Sequence, residues 1–500
     1  MVSPRQLPIL DLAIILIYLM GTTAFGVWFA RRGRSLAGYV QGDRSLPWWA
    51  LGVSVLATYL SSITFLADPG KSYATDWRPF VFSLTLVPAC WISVKWFIPL
   101  YRRRIQTTAY EHLEQRFGFW ARAYAGVSLI LLQIGRVAVV LYLLALALSG
   151  LLDWEIHWII LALGLITLFY TALGGFAAVV WTDVVQAILL LAAALASVVV
   201  LWTSIPGGTE TIWQIASRDH KFAFGNMAPS LVQDSALVIF LFGITENLRN
   251  FGIDQNYVQR ILSARSDRAA NKVLWLGGLI YMPISALFFL LGTLLYVYYA
   301  SVPNAALPDK ADQVFPFFII TTMPAGLVGL VIAGLLAAGM STLSSCLNSS
   351  ATVWVIDIYQ RLCRHPRNEQ QLLWLTRVAT LVIGCIGIGA SLAMLEVRTV
   401  LDAWWAISAV FGGAMLGLFI LGLIVPTATS GNALVAACLG ILVIAWGTVS
   451  KYLGATSGTL VFPVHTLLIG FAGTLTVVLS GWLLSFTNSR SSPVDPLQNS

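Results

Sequence analysis

Long runs of apolar residues, separated by short polar loops, follow one another along nearly the whole chain of 500 residues. Each run is about 20 residues long or longer, the length with which an α-helix crosses the hydrocarbon core of a bilayer. The strands of a membrane barrel would instead alternate in polarity over about ten residues. The pattern therefore predicts an all-α membrane protein with about 13 transmembrane helices, which we number spans 1 to 13. Their predicted ranges are 9–31, 47–67, 79–101, 121–151, 157–174, 176–202, 231–254, 272–299, 324–358, 373–395, 401–425, 431–451 and 464–486.

The composition supports a membrane protein and excludes a soluble one. Hydrophobic residues make up 58% of the chain and charged residues 10%, whereas about 25% of the residues of a soluble domain are charged. The Lys and Arg residues lie mainly in the loops on one side, among them Arg260 after span 7. Because basic loops stay in the cytoplasm, we expect the N-terminus outside and the C-terminus in the cytoplasm. The expected location is a bacterial-type inner (plasma) membrane. The net charge of +7 reflects this topology and does not indicate nucleic-acid binding.

Two spans carry polar clusters and helix breakers that lipid would not tolerate on an exposed helix. The middle of span 2 contains the hydroxyl residues Ser54, Thr58, Ser61, Ser62 and Thr64. The sequence DPG at 68–70 is expected to end span 2, and span 7 contains GITENLRNFG at 243–252. Irregular backbone at membrane depth persists where it is buried in protein or lines a cavity, and interrupted helices at corresponding positions of two halves indicate a transporter's binding site. Spans 2 and 7 are five apart, which predicts a five-plus-five inverted repeat.

This repeat predicts how the chain is divided. The expected parts are an extra N-terminal helix with a cytoplasmic loop (1–46), a first inverted-repeat half (47–202), a second inverted-repeat half (231–425), two peripheral C-terminal helices (431–486) and a disordered tail (487–500). The longest loop, about 203–230, has room for a small cap at most.

A stripe of small and hydroxyl residues marks span 9. Ala338, Ser341, Thr342 and Ser345 are spaced at i, i+3, i+4 and i+7, which places them on one face of a helix, with Ser344 beside them. Oxygen ligands suit hard cations, and hydroxyls with exposed carbonyls suit a monovalent one. Small residues also let helices pack closely, with each hydroxyl bonded to its own backbone. Span 9 alone leaves both interpretations open.

An acidic residue of span 6 lies at a compatible depth. Asp183 is about seven residues from the predicted cytoplasmic end, roughly 10 Å deep at 1.5 Å per residue, and Ser344 and Ser345 lie about 16 Å from the same side. A buried carboxylate near serine hydroxyls makes a candidate sodium site. The alternatives are that Asp183 pairs with a cytoplasmic arginine or caps a helix.

One charge, Arg136, lies within the apolar run LILLQIGRVAVVLYLLALAL at 129–148 in span 4. An arginine at the centre of a membrane helix costs roughly 2.5–3.5 kcal/mol on insertion scales. It is tolerated if it faces a wet cavity, where a carboxylate offers the guanidinium bidentate, charge-assisted hydrogen bonds. Arg136 is therefore a candidate ligand for an anion. The alternative is a structural ion pair with Glu246 or Asp254.

Three separated segments resemble the signature sequences of one transporter family. They are YTALGGFAAVVWTDVVQ around span 6, FGIDQNYVQR at the end of span 7 and SSCLNSSATVWVIDIY at the end of span 9. In this order they resemble the sodium:solute symporter family, and the resemblance covers spans 1 to 10. It implies a LeuT-like five-plus-five inverted repeat with thirteen or fourteen helices, and Na⁺ as the coupling ion.

The resemblance also implies two sodium sites in this chain. The first corresponds to the backbone carbonyls of Ala57, Leu60 and Ala338 with the hydroxyls of Ser341 and Thr342. The second, known in the sialic acid transporter branch of the family, corresponds to Asp183, Ser341, Ser344 and Ser345. All four residue types of this second site are present.

Arg136 resembles the arginine that holds the substrate carboxylate in the bacterial sialic acid transporters, and Ser61 and Thr64 would line the same pocket. The resemblance therefore implies sodium-coupled symport of a small organic anion, with sialic acid as the first choice, two Na⁺ per substrate and alternating access. Span 3 offers few polar groups beyond Ser83 and Thr85 for the hydroxyls of a sugar. Another monocarboxylate, or a neutral sugar or amino acid, therefore stays open, as does a receptor of this fold that does not transport.

An enzymatic function is not expected. The five histidines are scattered at loops and helix ends, without paired spacing for a metal or a serine–histidine dyad, so no catalytic residue is predicted. A passive channel would need a polar stripe along one continuous pore, whereas the polar residues of this chain cluster at one depth. The expected partners are a small organic anion, Na⁺ and the lipid bilayer, without nucleic acid or an obligate protein partner.

Overall fold

The computed structural model describes residues 7–30, 35–104, 107–152, 154–302, 307–308, 310–363, 368–396, 400–453 and 461–487. Within these residues the protein is helical, and they contain no β-strand. Eleven helices are long and apolar enough to cross a membrane, and one bent pair adds a twelfth crossing. The helix Ile156–Ser204 has 49 residues, about 74 Å at 1.5 Å per residue, which is long enough for two crossings of a roughly 30 Å core. By length and composition, the described residues thus have room for about thirteen crossings, the number that the sequence predicts.

The observed bounds of the spans agree with most of the predicted ones to within a few residues. Spans 1 to 13 are Ile9–Ala30, Trp48–Tyr59 with Ser62–Ala74, Arg78–Arg103, Phe119–Leu152, Ile156–Ser204 (spans 5 and 6), Ala236–Ile253, Asp267–Ser301, Leu327–Leu362, Glu369–Ala393, Val400–Ile424, Ser430–Leu453 and Thr466–Phe486. Shorter helices are Leu36–Gln41, Glu111–Phe117, Gly208–Arg218, Gln255–Leu262 and Val314–Thr322. The predicted disordered tail lies, except for its first residue, outside the described residues.

Spans 5 and 6 meet at Gly175, the position at which the sequence separates them. Its backbone is not helical, with φ 64° and ψ −166°, in a region that glycine adopts without steric cost. A Cβ at this position would lie 2.7 Å from the ring of Tyr39. Both the conformation and the close packing therefore require glycine between the two spans.

Span 2 is bent by 57° between its two helical halves. The first half ends at Tyr59, and Leu60 and Ser61 have extended backbone before the second half begins at Ser62. The Ser61 hydroxyl caps this second half by accepting a hydrogen bond from the Ile63 amide at 3.2 Å. The break therefore falls among the hydroxyl residues in the middle of the span.

The prediction that DPG at 68–70 ends span 2 is wrong, because the helix continues through Pro69 to Ala74. Span 8 packs closely along this stretch, where a Cβ at Gly292 would lie 2.2 Å from the Pro69 carbonyl oxygen. The Ser72 hydroxyl also donates to the Phe289 carbonyl of span 8 at 2.7 Å. Tertiary packing therefore maintains the helix through a proline, which disfavours helix by its ring and its missing N–H.

Span 7 is interrupted at Asp254. The helix ends at Ile253, and the Asp254 carboxylate caps the next helix, Gln255–Leu262, by accepting from the Asn256 amide at 2.9 Å. Every residue of this short helix is buried. Arg260, which the charge pattern predicts in a cytoplasmic loop, therefore lies inside the protein with 1% of its side chain exposed.

Span 9 lies at the centre of the bundle, with nearly every residue of Leu327–Val353 buried. Span 1 packs against its beginning, where the Asp11 carboxylate accepts hydrogen bonds from the amides of Gly326 and Gly329 at 2.7 and 2.6 Å. A carboxylate at a helix N-terminus satisfies free amides and interacts favourably with the helix dipole. Glycine permits this contact, because a Cβ at Gly329 would lie 2.6 Å from the Cα of Asp11.

The loop after span 6 contains the helix Gly208–Arg218, consistent with the small cap expected there. Lys221 follows this helix and donates to the carbonyls of Tyr73 and Thr75 at 2.6 and 2.9 Å. Its ammonium also lies 3.8 Å from the centre of the Tyr296 ring. Burial lowers the pKa of Lys221, and its contacts fasten the loop to spans 2 and 8.

Candidate functional site

The break in span 2 leaves backbone carbonyls without helical partners, and hydroxyls of span 9 reach them. Ser341 donates to the Ala57 carbonyl at 2.9 Å, and the Thr342 hydroxyl lies 3.5 Å from the Leu60 carbonyl oxygen. The two hydroxyls also lie 3.1 and 3.2 Å from the Ala338 carbonyl oxygen of span 9. We call these five residues the hydroxyl–carbonyl cluster.

The hydroxyl–carbonyl cluster has the composition of a monovalent cation site. All five residues are buried, and the Ala57 and Leu60 carbonyls lie at the C-terminal end of a half-helix, where the helix dipole is negative. The hydroxyls donate to the carbonyls here, whereas a bound Na⁺ would contact the lone pairs of both kinds of oxygen. The structure thus brings together all five residues predicted for the first sodium site. Their role as ligands stays a prediction.

A second cluster combines a carboxylate with a guanidinium. Asp183 Oδ2 accepts hydrogen bonds from Ser54 Oγ at 2.5 Å and from Arg260 Nη2 at 2.9 Å. Arg260 also donates to Ser54 Oγ and Ser345 Oγ, each at 2.7 Å. Thr58 Oγ1 lies 2.9 Å from Ser345 Oγ. We call these five residues the carboxylate–guanidinium cluster.

The four residues predicted for the second sodium site are neighbours, but they are not all directed at one point. Arg260 joins Asp183 to Ser345, while the Ser344 hydroxyl donates to the Ser341 carbonyl at 3.1 Å. The alternative that Asp183 pairs with an arginine therefore describes the observed contacts. Asp183 Oδ1 is buried and has no hydrogen-bond partner among the described residues, so one carboxylate oxygen is available to a cation.

A cavity of about 570 Å³ opens beside the break of span 2, within the range of roughly 300–1,000 Å³ that is usual for ligand pockets. The three predicted substrate-binding residues, Ser61, Thr64 and Arg136, all line it. Its wall extends to residues of the loops after spans 6 and 12. The cavity therefore leads from the middle of the bundle to the side on which these two loops lie.

The guanidinium of Arg136 forms no ion pair within 4.0 Å in the part of the chain that the structure describes. The two candidate acids are held by Arg249 instead, which lies 2.5 Å from Glu246 and 3.8 Å from Asp254. The alternative of a structural ion pair for Arg136 is therefore wrong. Arg136 lines the cavity, and Asp254 acts on its charge from beyond 4.0 Å, without an ion pair among the described residues.

Three members of the carboxylate–guanidinium cluster were not predicted as site residues. Ser54 and Thr58 stand out in the sequence only as part of the hydroxyl-rich middle of span 2, although a spacing of four places them on one helix face. Arg260 is the last residue of the signature segment FGIDQNYVQR. Its position in that segment is the signal that could have indicated a site residue and not a loop residue.

Comparisons with known proteins identify what the chain is similar to. The model of the sodium:solute symporter family matches residues 39–440. The sodium/sialic acid symporter NanT of Aliivibrio fischeri is 33% identical over 482 residues, covering 95% of this chain and 93% of that protein. The sodium/sialic acid symporter SiaT of Proteus mirabilis is 32% identical over 480 residues, covering 94% of each.

A solved structure with the same architecture is the substrate-bound, outward-open state of a Na⁺-coupled sialic acid symporter that has a novel Na⁺ site. It matches with a TM-score of 0.88 at 30% identity and covers 97% of this chain and 99% of that one. The predicted all-α, LeuT-like fold is thereby confirmed.

Proposed function

Because the chain belongs to the sodium:solute symporter family, we propose that it imports sialic acid together with Na⁺, with two ions per substrate, by alternating access. The protein is a multi-pass membrane transporter and not an enzyme, as the sequence predicts. The main support for the proposal is Arg136, because it lines the cavity and forms no ion pair with an acidic side chain among the described residues. A substrate carboxylate would supply the opposite charge through bidentate hydrogen bonds.

We assign the first Na⁺ to the hydroxyl–carbonyl cluster. This cluster joins the two predicted repeat halves, since Ala57 belongs to 47–202 and Ser341 to 231–425. A cation bound there favours the conformation in which spans 2 and 9 touch, and it stabilises the backbone directly before Ser61 and Thr64. Sodium binding thereby prepares the substrate cavity.

We assign the second Na⁺ to Asp183 with the hydroxyls of Ser341, Ser344 and Ser345. Arg260 neutralises Asp183 in the observed arrangement, so a cation at this site requires Arg260 to withdraw. One positive charge balances the buried carboxylate, and a second would add repulsion at short range. Arg260 is therefore an internal competitor of the second ion.

The basic loops support a topology with the N-terminus outside and the C-terminus in the cytoplasm, and the bacterial relatives support a bacterial-type inner membrane. In this orientation the loops after spans 6 and 12 face the exterior. The cavity that reaches them would then be the outward-facing entrance for the substrate.

Two ions give the transporter access to the membrane potential. One Na⁺ carried with one monoanion moves no net charge, whereas two move one charge, worth roughly 2.3 kcal/mol per 100 mV. A tenfold sodium gradient adds about 1.4 kcal/mol per ion. Together these terms sustain roughly 10³- to 10⁴-fold accumulation of the substrate.

Uptake of radiolabelled N-acetylneuraminic acid into proteoliposomes tests the proposal. We expect uptake with Na⁺ outside, none when choline replaces Na⁺ at fixed pH, and faster uptake when valinomycin and a K⁺ gradient make the interior negative. Protein-free liposomes are the control. Absence of Na⁺-dependent uptake would refute the proposed substrate. An uptake rate that is the same with and without the imposed potential would show that the second ion is not transported.

The substitution Arg260→Gln tests the competition between Arg260 and sodium. Breaking a buried ion pair leaves an uncompensated charge and costs roughly 3–5 kcal/mol, so the variant should melt several degrees lower in choline. Sodium should restore much of the lost melting temperature by binding Asp183. Thermal unfolding of the purified protein in both salts measures the effect.

Arg122→Gln is the matched control, since Arg122 is also buried and lies 2.6 Å from Asp357 outside the clusters. Its loss of stability should be the same in choline and in Na⁺. Equal behaviour of the two variants would mean that Arg260 is a structural partner and that Asp183 holds no sodium.

A further inference from the structure

We propose that Asp68 determines substrate specificity by accepting hydrogen bonds from hydroxyl groups at the end of the substrate remote from its carboxylate. This inference rests on the proposed function, because it assumes that Arg136 holds the carboxylate of the carried acid. It adds a second recognition point, of opposite charge, to the same cavity.

Asp68 lies on the face of span 2 that forms the cavity wall. Thr64 and Asp68 are four residues apart, on one face of the helix that Ser61 caps, and all three residues line the cavity. The helix that carries Asp68 continues past it to Ala74. Its carboxylate therefore belongs to a regular, packed wall and not to a loop at the entrance.

The contacts of span 4 place Asp68 and Arg136 at opposite ends of this wall. Spans 2 and 4 run in the same direction, and the Ser62 hydroxyl donates to the Val140 carbonyl at 3.2 Å. Val140 follows Arg136 by four residues, about 6 Å along the axis, and Asp68 follows Ser62 by six, about 9 Å. Arg136 is therefore at the inner end of the cavity, and Asp68 lies well above it.

The Asp68 carboxylate has neither a hydrogen bond nor an ion pair with other described residues. Lys71, one turn further out, also lines the cavity but forms no ion pair with Asp68 within the described part of the chain. A carboxylate with unused acceptor sites is costly where solvent access is reduced. When such a group lines a ligand cavity, its acceptor sites are satisfied by a ligand that supplies hydrogen-bond donors.

The two charges together fix the direction in which an acid binds. Asp68 repels a carboxylate and Arg136 attracts it, so the donor-bearing end of the substrate points to Asp68. Sialic acid fits this polarity, since it has a carboxylate at one end and a hydroxylated glycerol side chain at the other. Tyr281 of span 8 also lines the cavity, together with Thr64 of span 2 and Ser83 of span 3, so spans 2 and 8 add polar groups to those of span 3.

Isothermal titration of the variant Asp68→Ala tests this role with two ligands in saturating Na⁺. One is N-acetylneuraminic acid, and the other is its seven-carbon analogue, made by mild periodate oxidation and borohydride reduction of the glycerol side chain. We expect the substitution to weaken the binding of N-acetylneuraminic acid at least tenfold, or by about 1.4 kcal/mol. The analogue should bind both proteins within a factor of about two, because it cannot reach Asp68.

Asp219→Ala is the control, because Asp219 lies in the outer loop and pairs with Arg218. It should leave both affinities unchanged. If Asp68→Ala fails to give folded protein, Asp68→Asn, which keeps the shape and loses the charge, takes its place. Equal weakening of both ligands, unchanged binding of the full ligand, or a shift in the half-saturating Na⁺ concentration would overturn the inference. Failure of the unchanged protein to bind N-acetylneuraminic acid would instead refute the proposed function.

Discussion

Arg136→Ala is expected to abolish uptake of the anion while sodium binding persists. Truncating one partner of a buried, hydrogen-bonded charge pair costs roughly 2–5 kcal/mol, which corresponds to a loss of affinity of about 30- to 5,000-fold. Arg136 lines the cavity, forms no ion pair in the described part of the chain and is not a member of either sodium cluster. Its removal should therefore act on the substrate alone.

Two measurements separate a ligand from a structural residue. Uptake in proteoliposomes reports the substrate, and the Na⁺-dependent rise in melting temperature reports the ion. Arg136→Lys keeps the charge but loses the bidentate geometry, so its affinity should lie between those of Arg136→Ala and the unchanged protein. Arg218→Ala, at a side chain that is 72% exposed, is the control. If Arg136→Ala loses the sodium response together with uptake, the arginine is structural.

Ser341→Ala is expected to weaken the sodium dependence of transport by roughly one to two orders of magnitude. The hydroxyl bonds the Ala57 carbonyl at 2.9 Å, and it is the side chain that the two proposed ion sites share. Loss of one hydrogen-bonding partner at a buried polar site costs about 1–3 kcal/mol. The half-saturating Na⁺ concentration of uptake measures this loss, and transport at very high Na⁺ should recover.

Ser349→Ala provides a matched control on the same helix. Ser349 is buried and its hydroxyl bonds the Cys346 carbonyl at 3.2 Å, away from both clusters. The same chemical change should leave the sodium dependence intact. Thr342→Ala separates the contributions of the two ion sites, since Thr342 belongs to the first proposed site only. A normal half-saturating Na⁺ concentration in Ser341→Ala would exclude the hydroxyl–carbonyl cluster as an ion site.

The features that the sequence predicted well are those determined by local pattern. Apolar runs of sufficient length locate the spans, and helical spacing correctly places Ala338, Ser341 and Thr342 together. Gly175 separates two spans because its backbone adopts a conformation with positive φ. These properties depend on residues close in the chain, so periodicity and residue type are enough to find them.

The features that the sequence did not predict depend on packing between distant spans. Arg260 resembles a loop residue by its charge and position, and its burial follows from contacts with Ser54, Asp183 and Ser345 on three other spans. Pro69 resembles a helix end, and the helix continues because span 8 packs against it. No local pattern contains this information, since each partner lies more than 70 residues away.

The contact of Asp11 with span 9 makes the N-terminal helix a component of the ion-binding element and not an accessory. Removing residues 1–30 would leave the amides of Gly326 and Gly329 without acceptors in a low-dielectric surrounding, where each unsatisfied group costs several kcal/mol. A shortened chain should therefore be impaired in membrane insertion or folding before any transport is measured. Fusion partners and purification tags are better attached at the opposite terminus, where no comparable anchoring is disturbed in the described residues.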